Sequence, residues 1–276
     1  MLCETIYLRE KEGDMSVRLE TLVSKRDGDM SYIKPRDAVI VLPGGAYVFH
    51  AEREAEPVAK QFLAHGFNAF ILYYSIGEGE GGAAFPRPVV DVSMAIAHIR
   101  RNAEKYNINP ERIFVCGFSA GGHLSGSVGT FWNRDWAAFE GMKKGENRPA
   151  GVILSYPVTT LGEFSHETCR NVICGTSEPS QEAMDAYSLE KQVTEDTVPH
   201  FIWQTEEDDC VPVENSMLLA SALIAKRVPT ELHIYPKGPH GMSVSNGEVD
   251  NGNPVLNDPH VASWVRDCIE WTKTVE

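Results

Sequence analysis

The sequence predicts an α/β fold: a mostly parallel central sheet with helices on both faces and a small helical cap. Three observations carry that prediction. Short continuous apolar runs recur at residues 38–42, 68–74, 113–116 and 151–155, which is how strands buried on both faces read. Between them lie longer stretches whose apolar residues repeat at helical spacing. At Gly117-Phe118-Ser119-Ala120-Gly121 a strand pattern passes through one tight turn straight into a helix pattern.

The elements follow in order. Residues 5–8 and 16–23 read as an antiparallel hairpin, with Val17, Leu19, Thr21 and Val23 on one face. Asp27-Gly28-Asp29 is turn material. The 38–42 strand runs into Pro43-Gly44-Gly45-Ala46-Tyr47, and the next helix sets Ala55, Val58, Ala59 and Phe62 on one side before a C-terminal cap at Gly66. The 68–74 strand and a glycine-rich loop at 77–82 come next. Pro86 and Pro88 open a long helix carrying Val92, Ile96, Ile99 and Ala103, which residues 107–110 close.

Residues 119–131 read as the buried helix behind the 113–116 strand. Residues 133–148 are polar and irregular, and Lys143-Lys144 reads as a solvated face. After the 151–155 strand, residues 157–191 show no strand pattern and exceed an ordinary connection, so they are assigned to the helical cap. A strand at 199–204 precedes a helix at 213–226 with Val213, Met217, Ala220 and Ile224 in line. The last strand is 230–235. The last helix is capped by Asp258-Pro259 and turns Val261, Trp264, Val265 and Cys268 inward. The whole chain, 1–276, is expected to be one domain with 157–191 inserted as its cap.

Composition narrows the function classes. The chain has 276 residues, 42% of them hydrophobic, enough for a sizeable core. A net charge of −14 argues against nucleic acid or an anionic membrane as the main partner. There is no apolar run of about 18 residues, so no membrane-spanning helix is expected. The N-terminus lacks the basic and apolar regions of a signal peptide. The six cysteines have no paired-ligand spacing. A cytoplasmic protein with free thiols is therefore expected, Cys169 and Cys174 included. No metal or cofactor motif is present. Self-association into a homo-oligomer is left open.

The chemistry is read from residues that directly follow strands, because open α/β sheets gather ligands and catalytic groups at the C-terminal strand ends. Gly-x-Ser-x-Gly in a strand–turn–helix context lifts the Ser119 hydroxyl out of the sheet edge. The helix start brings the Ala120 N–H and the positive dipole end beside it. After the 38–42 strand, Gly45 and Ala46 can offer further backbone N–H groups to a tetrahedral oxyanion. After the 230–235 strand comes His240, and an imidazole suits a general base because it ordinarily titrates near neutrality.

After the 199–204 strand come Glu206, Glu207, Asp208 and Asp209, one of which would orient the imidazole. The order serine, acid, histidine is that of the α/β hydrolases. The other histidines (His50, His65, His98, His123, His166, His200, His233 and His260) are read as structural, with His123 the nearest to Ser119 in sequence.

Four motifs together resemble the bacterial acetyl-esterase and acetylxylan-esterase-like α/β hydrolases, of the hormone-sensitive-lipase and feruloyl-esterase-like group. They are Leu42-Pro43-Gly44-Gly45-Ala46-Tyr47, Gly117-Phe118-Ser119-Ala120-Gly121-Gly122-His123-Leu124, Asp208-Asp209-Cys210-Val211-Pro212 and Gly238-Pro239-His240-Gly241. The similarity runs from about residue 36 to the C-terminus. In that group two residues and then Val-Pro follow the acid, which implies Asp208. The group's His-Gly-Gly-Gly oxyanion motif is replaced here by Pro43-Gly44-Gly45-Ala46, which keeps the backbone donors but adds a methyl group.

The resemblance implies a serine esterase with Ser119, Asp208 and His240 as catalytic residues and Gly45, Ala46 and Ala120 as the oxyanion hole. Tyr47 and Phe118 are expected to line the acyl side, and Tyr74 and Tyr156 to face the alcohol side. The expected substrate is a small-molecule ester, the acetyl groups of xylo-oligosaccharides being the choice. Rival readings are an amidase or peptidase of the same fold, formamidase-like or small, and a non-catalytic pseudo-hydrolase that only binds a ligand. Turnover of any activated ester separates the last of these from an enzyme.

Overall fold

A computed structural model of the chain describes residues 1–24, 34–77 and 82–275. Asp27-Gly28-Asp29 and most of the 77–82 loop lie outside the described residues. The described residues form an eight-stranded sheet in the order β1-β2-β4-β3-β5-β6-β7-β8. β1 (Thr5–Arg9) and β2 (Asp14–Leu22) make the predicted antiparallel hairpin, and β2 pairs antiparallel with β4 (Asn68–Tyr73). The remaining pairings are parallel: β3 (Arg36–Leu42), β5 (Ile108–Phe118), β6 (Gly151–Ser155), β7 (His200–Thr205) and β8 (Thr230–Tyr235).

Two apolar cores flank the sheet, and strand alternation fills them. Ala38, Ile40 and Leu42 of β3 enter one core, and Val39 and Val41 enter the other. The first core takes α2 (Arg87–Arg101), α4 (Ala120–Phe131) and α8 (Glu214–Ala225). The second takes α1 (Glu56–Ala64) and α9 (Trp264–Thr272). Helices on both faces leave the inner strands no solvated side, which is why they read as unbroken apolar runs. From β3 the chain steps outward to β4, then crosses back to β5 on the other side of β3. The winding reverses there, and it opens a crevice at the C-terminal ends of β3 and β5.

Two helices depart from the sequence reading. Ala103 falls outside α2, which stops at Arg101. It begins a separate turn, α3 (Ala103–Tyr106), ended by Asn107 in a left-handed conformation at φ 49°. In α8 the inward stripe is Asn215, Ser216, Leu219, Ala220 and Leu223, while Met217 and Ile224 are 55% and 63% exposed. Polar anchors set this phase. The Asn215 Oδ1 accepts the N–H groups of Thr159 and Thr160, and the Ser216 hydroxyl donates to the Gln204 side-chain oxygen at 2.5 Å.

Between β6 and β7 the 157–191 stretch holds short helices, as predicted: α5 (Glu167–Cys174), α6 (Gln181–Tyr187) and the start of α7 (Leu189–Gln192). Asn215 ties the base of this cap to the following loop, since its Nδ2 also donates to Phe164 and Pro212 carbonyls. Leu189 packs over Gly126 of α4, where an added Cβ would meet its Cδ1 at 2.5 Å. Among the described residues no helix is long and apolar enough to cross a membrane.

The observed phase of α8 makes a stability prediction. Leu219→Ala should cost about 2–5 kcal/mol through cavity formation, whereas Met217→Lys or Ile224→Lys should stay within about 0.5 kcal/mol. Urea unfolding of the three variants measures this, and the opposite ranking would restore the phase read from the sequence.

Candidate active site

The turn from β5 into α4 sets Ser119 at φ 54° and ψ −117°, a conformation that costs a non-glycine residue about 1–3 kcal/mol. Close backbone contacts hold it. A Cβ on Gly117 would lie 1.9 Å from the Gly121 carbonyl oxygen, and one on Gly121 would lie 2.2 Å from that of Leu42. Only glycine fits either position. The Ser119 N–H donates to the Ser155 carbonyl, and its own carbonyl accepts from His123 and Val158. The side chain is left at the crevice with its residue 8% exposed.

His240 comes from the loop after β8. Its Nε2 lies 2.9 Å from the Ser119 Oγ, and its Nδ1 lies 2.7 Å from the Asp208 Oδ2. The Asp208 carboxylate is fully buried in the loop after β7. Its other oxygen accepts the Cys210 and Val211 N–H groups at 3.0 and 2.9 Å. That local bonding, from an aspartate to the backbone two and three residues on, fixes the side chain before the histidine arrives. Glu206 and Asp209 are exposed, and Glu207 accepts the Gly238 N–H. Of the four adjacent acids, the structure brings Asp208 to the imidazole.

The loop after β3 bends sharply, with positive φ at Gly45 (123°), Ala46 (54°) and Tyr47 (64°). This turns the Gly45 and Ala46 backbone toward the cavity that also holds Ser119 and His240. Their N–H groups make no hydrogen bond among the described residues. The Ala120 N–H, first in α4, has no acceptor within its helix. The cavity has a volume of about 330 Å³.

The four aromatics expected at the substrate walls stand elsewhere. Tyr47 is buried with its hydroxyl 3.0 Å from His123 Nδ1 and its ring edge-on to Tyr74 and Phe85. Tyr74 is buried and donates to the Pro43 carbonyl. Phe118 points into the second core against Tyr156 and Trp264. Tyr156 lies beneath the site with its ring 4.9 Å from that of His240. Burying a large ring is worth more than leaving it at a wet rim, so strand-end aromatics turn into the cores. The cavity wall is completed instead by Phe49, Arg53, His166 and Cys210.

One connecting residue escaped the sequence reading. Glu54 is 3% exposed. One of its oxygens accepts the Gly44 N–H at 2.7 Å and the other accepts the Tyr156 hydroxyl at 2.8 Å. The Tyr156 oxygen in turn accepts the Ser243 N–H. Glu54 thus ties the loop after β3 to the loop bearing His240, and burial raises its pKa above the usual carboxylate value. Its sequence context, Glu52-Arg53-Glu54, reads as a solvated charge run, and no local pattern marks it.

His123 bridges Tyr47 and the Tyr187 carbonyl at the end of α6. Burial lowers its pKa to about 4, so it stays neutral near pH 7 and serves as a structural link between α4, the loop after β3 and the cap.

A mostly parallel sheet with this serine–histidine–aspartate array at its C-terminal strand ends defines an α/β hydrolase. Residues 30–223 match the BD-FAE family, and the chain belongs to that family. An endo-1,4-β-xylanase B from Butyrivibrio fibrisolvens is 41% identical over 223 residues, 79% of this chain and 34% of that protein. An acetylxylan esterase from Xylanibacter ruminicola is 31% identical over 209 residues, 74% of this chain and 40% of that protein. The chain thus spans between a third and two fifths of these relatives' length. Among solved structures, an acetyl ester-xyloside bifunctional hydrolase from Caldicellulosiruptor lactoaceticus superposes with a TM-score of 0.80 at 33% identity. That match covers 99% of this chain and 96% of the other.

The geometry separates the two adjacent aspartates. Asp208→Asn should lower kcat on an activated ester by about 10⁴-fold, because the amide favours the wrong imidazole tautomer. Asp209→Asn should stay within a few-fold. Steady-state kinetics on the two variants decides, and a reversed ranking would contradict the assignment.

Proposed function

We propose that this chain is a serine carboxylesterase that removes acetyl groups from small acetylated oligosaccharides, such as xylo-oligosaccharides, through an acyl-enzyme. The observation that carries this reading is the hydrogen-bonded line Ser119 Oγ, His240, Asp208 beside the Gly45, Ala46 and Ala120 backbone. A serine hydroxyl attacks poorly unless a base takes its proton, and His240 Nε2 is within reach to do so. The Asp208 carboxylate then stabilises the imidazolium, and its buried side chain holds the ring in the Nδ1–H tautomer.

The attack makes a tetrahedral centre whose oxyanion is met by the Gly45, Ala46 and Ala120 N–H groups. Such donors are worth most when they are in place before the charge develops. His240 next gives its proton to the departing alcohol oxygen. A water activated by the same imidazole then cleaves the acyl-Ser119 ester and releases acetate.

The choice of substrate rests on different support. Relatives named for xylan and acetyl-xylan chemistry favour acetylated xylo-oligosaccharides as the ester. A cavity of about 330 Å³ that must hold both acyl and alcohol parts favours a short acyl chain. A group that misfits a packed wall costs about 1–3 kcal/mol, so selectivity should fall with acyl length.

Two measurements test the reading together: kcat/KM on aryl esters from acetyl to octanoyl, and acetate release from acetylated xylo-oligosaccharides. The expected result is a maximum at acetyl, a fall of tenfold or more by octanoyl, and release of acetate from the sugars. A maximum at octanoyl, or aryl ester turnover with no acetate from any acetylated sugar, would overturn the substrate assignment.

A further inference from the structure

His166 is the cap residue that reaches the catalytic cavity and has a nitrogen to spare. It stands at the N-cap of α5, with its Nδ1 accepting the Cys169 N–H at 3.3 Å. A ring nitrogen that accepts a hydrogen bond carries no proton, so the neutral imidazole must hold its proton on Nε2. That Nε2 makes no hydrogen bond among the described residues, and the ring lines the same cavity as Ser119 and His240. Burial, reinforced by His240, lowers the His166 pKa from its ordinary value, which keeps the ring a neutral donor near pH 7.

Its side of the cavity matters. Cys210 and Gly241, which lie two residues after Asp208 and one after His240, line the cavity with His166. Gly45, Ala46 and Phe49 belong to the loop after β3 and make the oxyanion side. The alcohol of an ester leaves on the side where His240 Nε2 can protonate its oxygen. An N–H donor there faces the alcohol part of the substrate and not the acyl part.

A simple capping role does not account for the residue. Asparagine, aspartate or serine cap a helix start at least as well, and none of them has a second ring nitrogen left free to donate. We propose that His166 is a specificity-determining residue whose Nε2–H donates a hydrogen bond to an oxygen beside the scissile ester, so that the site prefers esters of polyols and sugars to esters of plain alcohols. The inference rests on the esterase reading above and names the group that would recognise its alcohol.

The test uses a matched pair, 2-hydroxyethyl acetate and propyl acetate, which differ by a hydroxyl in place of a methyl. The readout is the ratio of their kcat/KM values in the wild-type protein, in His166→Phe and in His166→Asn. Asparagine keeps an acceptor where Nδ1 stands, so it still caps α5, but its amide ends short of the Nε2 position.

Wild type should favour the hydroxy ester, and the ratio should fall by about tenfold in both variants, mainly through KM, the scale of one lost hydrogen bond. A ratio unchanged in both variants, including the case where both esters slow equally, would reduce His166 to a structural residue and overturn the proposal. A preserved ratio shift with no acetate released from acetylated oligosaccharides would sink the sugar assignment and leave His166 standing. No hydrolysis of either ester by the wild-type protein would overturn both.

Discussion

The architecture of the site depends on one steric constraint: the backbone of the β5–α4 turn passes within contact distance of itself and of the end of β3. Gly117 and Gly121 are the two positions where a single added carbon would meet a carbonyl oxygen, of Gly121 and of Leu42 respectively. That closeness forces Ser119 into a sparsely populated backbone conformation. It also sets the start of α4 directly beside the loop that leaves β3. The reversal of strand order makes β3 and β5 neighbours, so Ser119 and the Gly45–Ala46 backbone reach one crevice from opposite windings of the sheet.

Two buried polar links hold the loops around that crevice in register. Glu54 joins Gly44 to Tyr156, and Tyr156 joins Ser243 and underlies the His240 ring. His123 joins Tyr47 to the cap at Tyr187. A buried carboxylate is costly unless its hydrogen bonds are made, and hydrogen bonds to charged groups contribute about 1.5–3 kcal/mol each. Glu54 therefore acts as a fixed point: either loop can shift only by breaking a bond that water cannot easily replace. The Ser119–His240–Asp208 geometry is thus held from several sides by buried hydrogen bonds, as a preorganised site requires.

The sequence made much of this legible, and what it hid has a common cause. The strand order of chemistry, the elbow at Ser119 and the cap at 157–191 follow from local patterns: apolar runs, a strand–turn–helix glycine motif and an overlong connection. The phase of α8 does not, because Asn215 and Ser216 take inward positions that a hydrophobic stripe assigns to Met217 and Ile224. Tyr47, Tyr74 and Tyr156 follow strands and Phe118 ends one, but strand position does not say whether a ring turns to the cavity or the core. Glu54 and His166 were invisible for the same reason. Each looks like an ordinary surface residue until the fold supplies a partner far away in the chain. Among the four acids near 208, the resemblance's Val-Pro spacing implies Asp208, and burial with the long-range bond to His240 places that residue at the imidazole.

The claim on which the rest stands is that Ser119 is the one activated hydroxyl of this chain. Incubation of the folded protein with a serine-reactive aryl phosphonate, followed by peptide mapping of the adduct, tests it most directly. The account predicts a single adduct on Ser119, and none on the Ser119→Ala protein, which should keep its fold while losing turnover by several orders of magnitude. An adduct on a different serine, or undiminished ester turnover in Ser119→Ala, would contradict it.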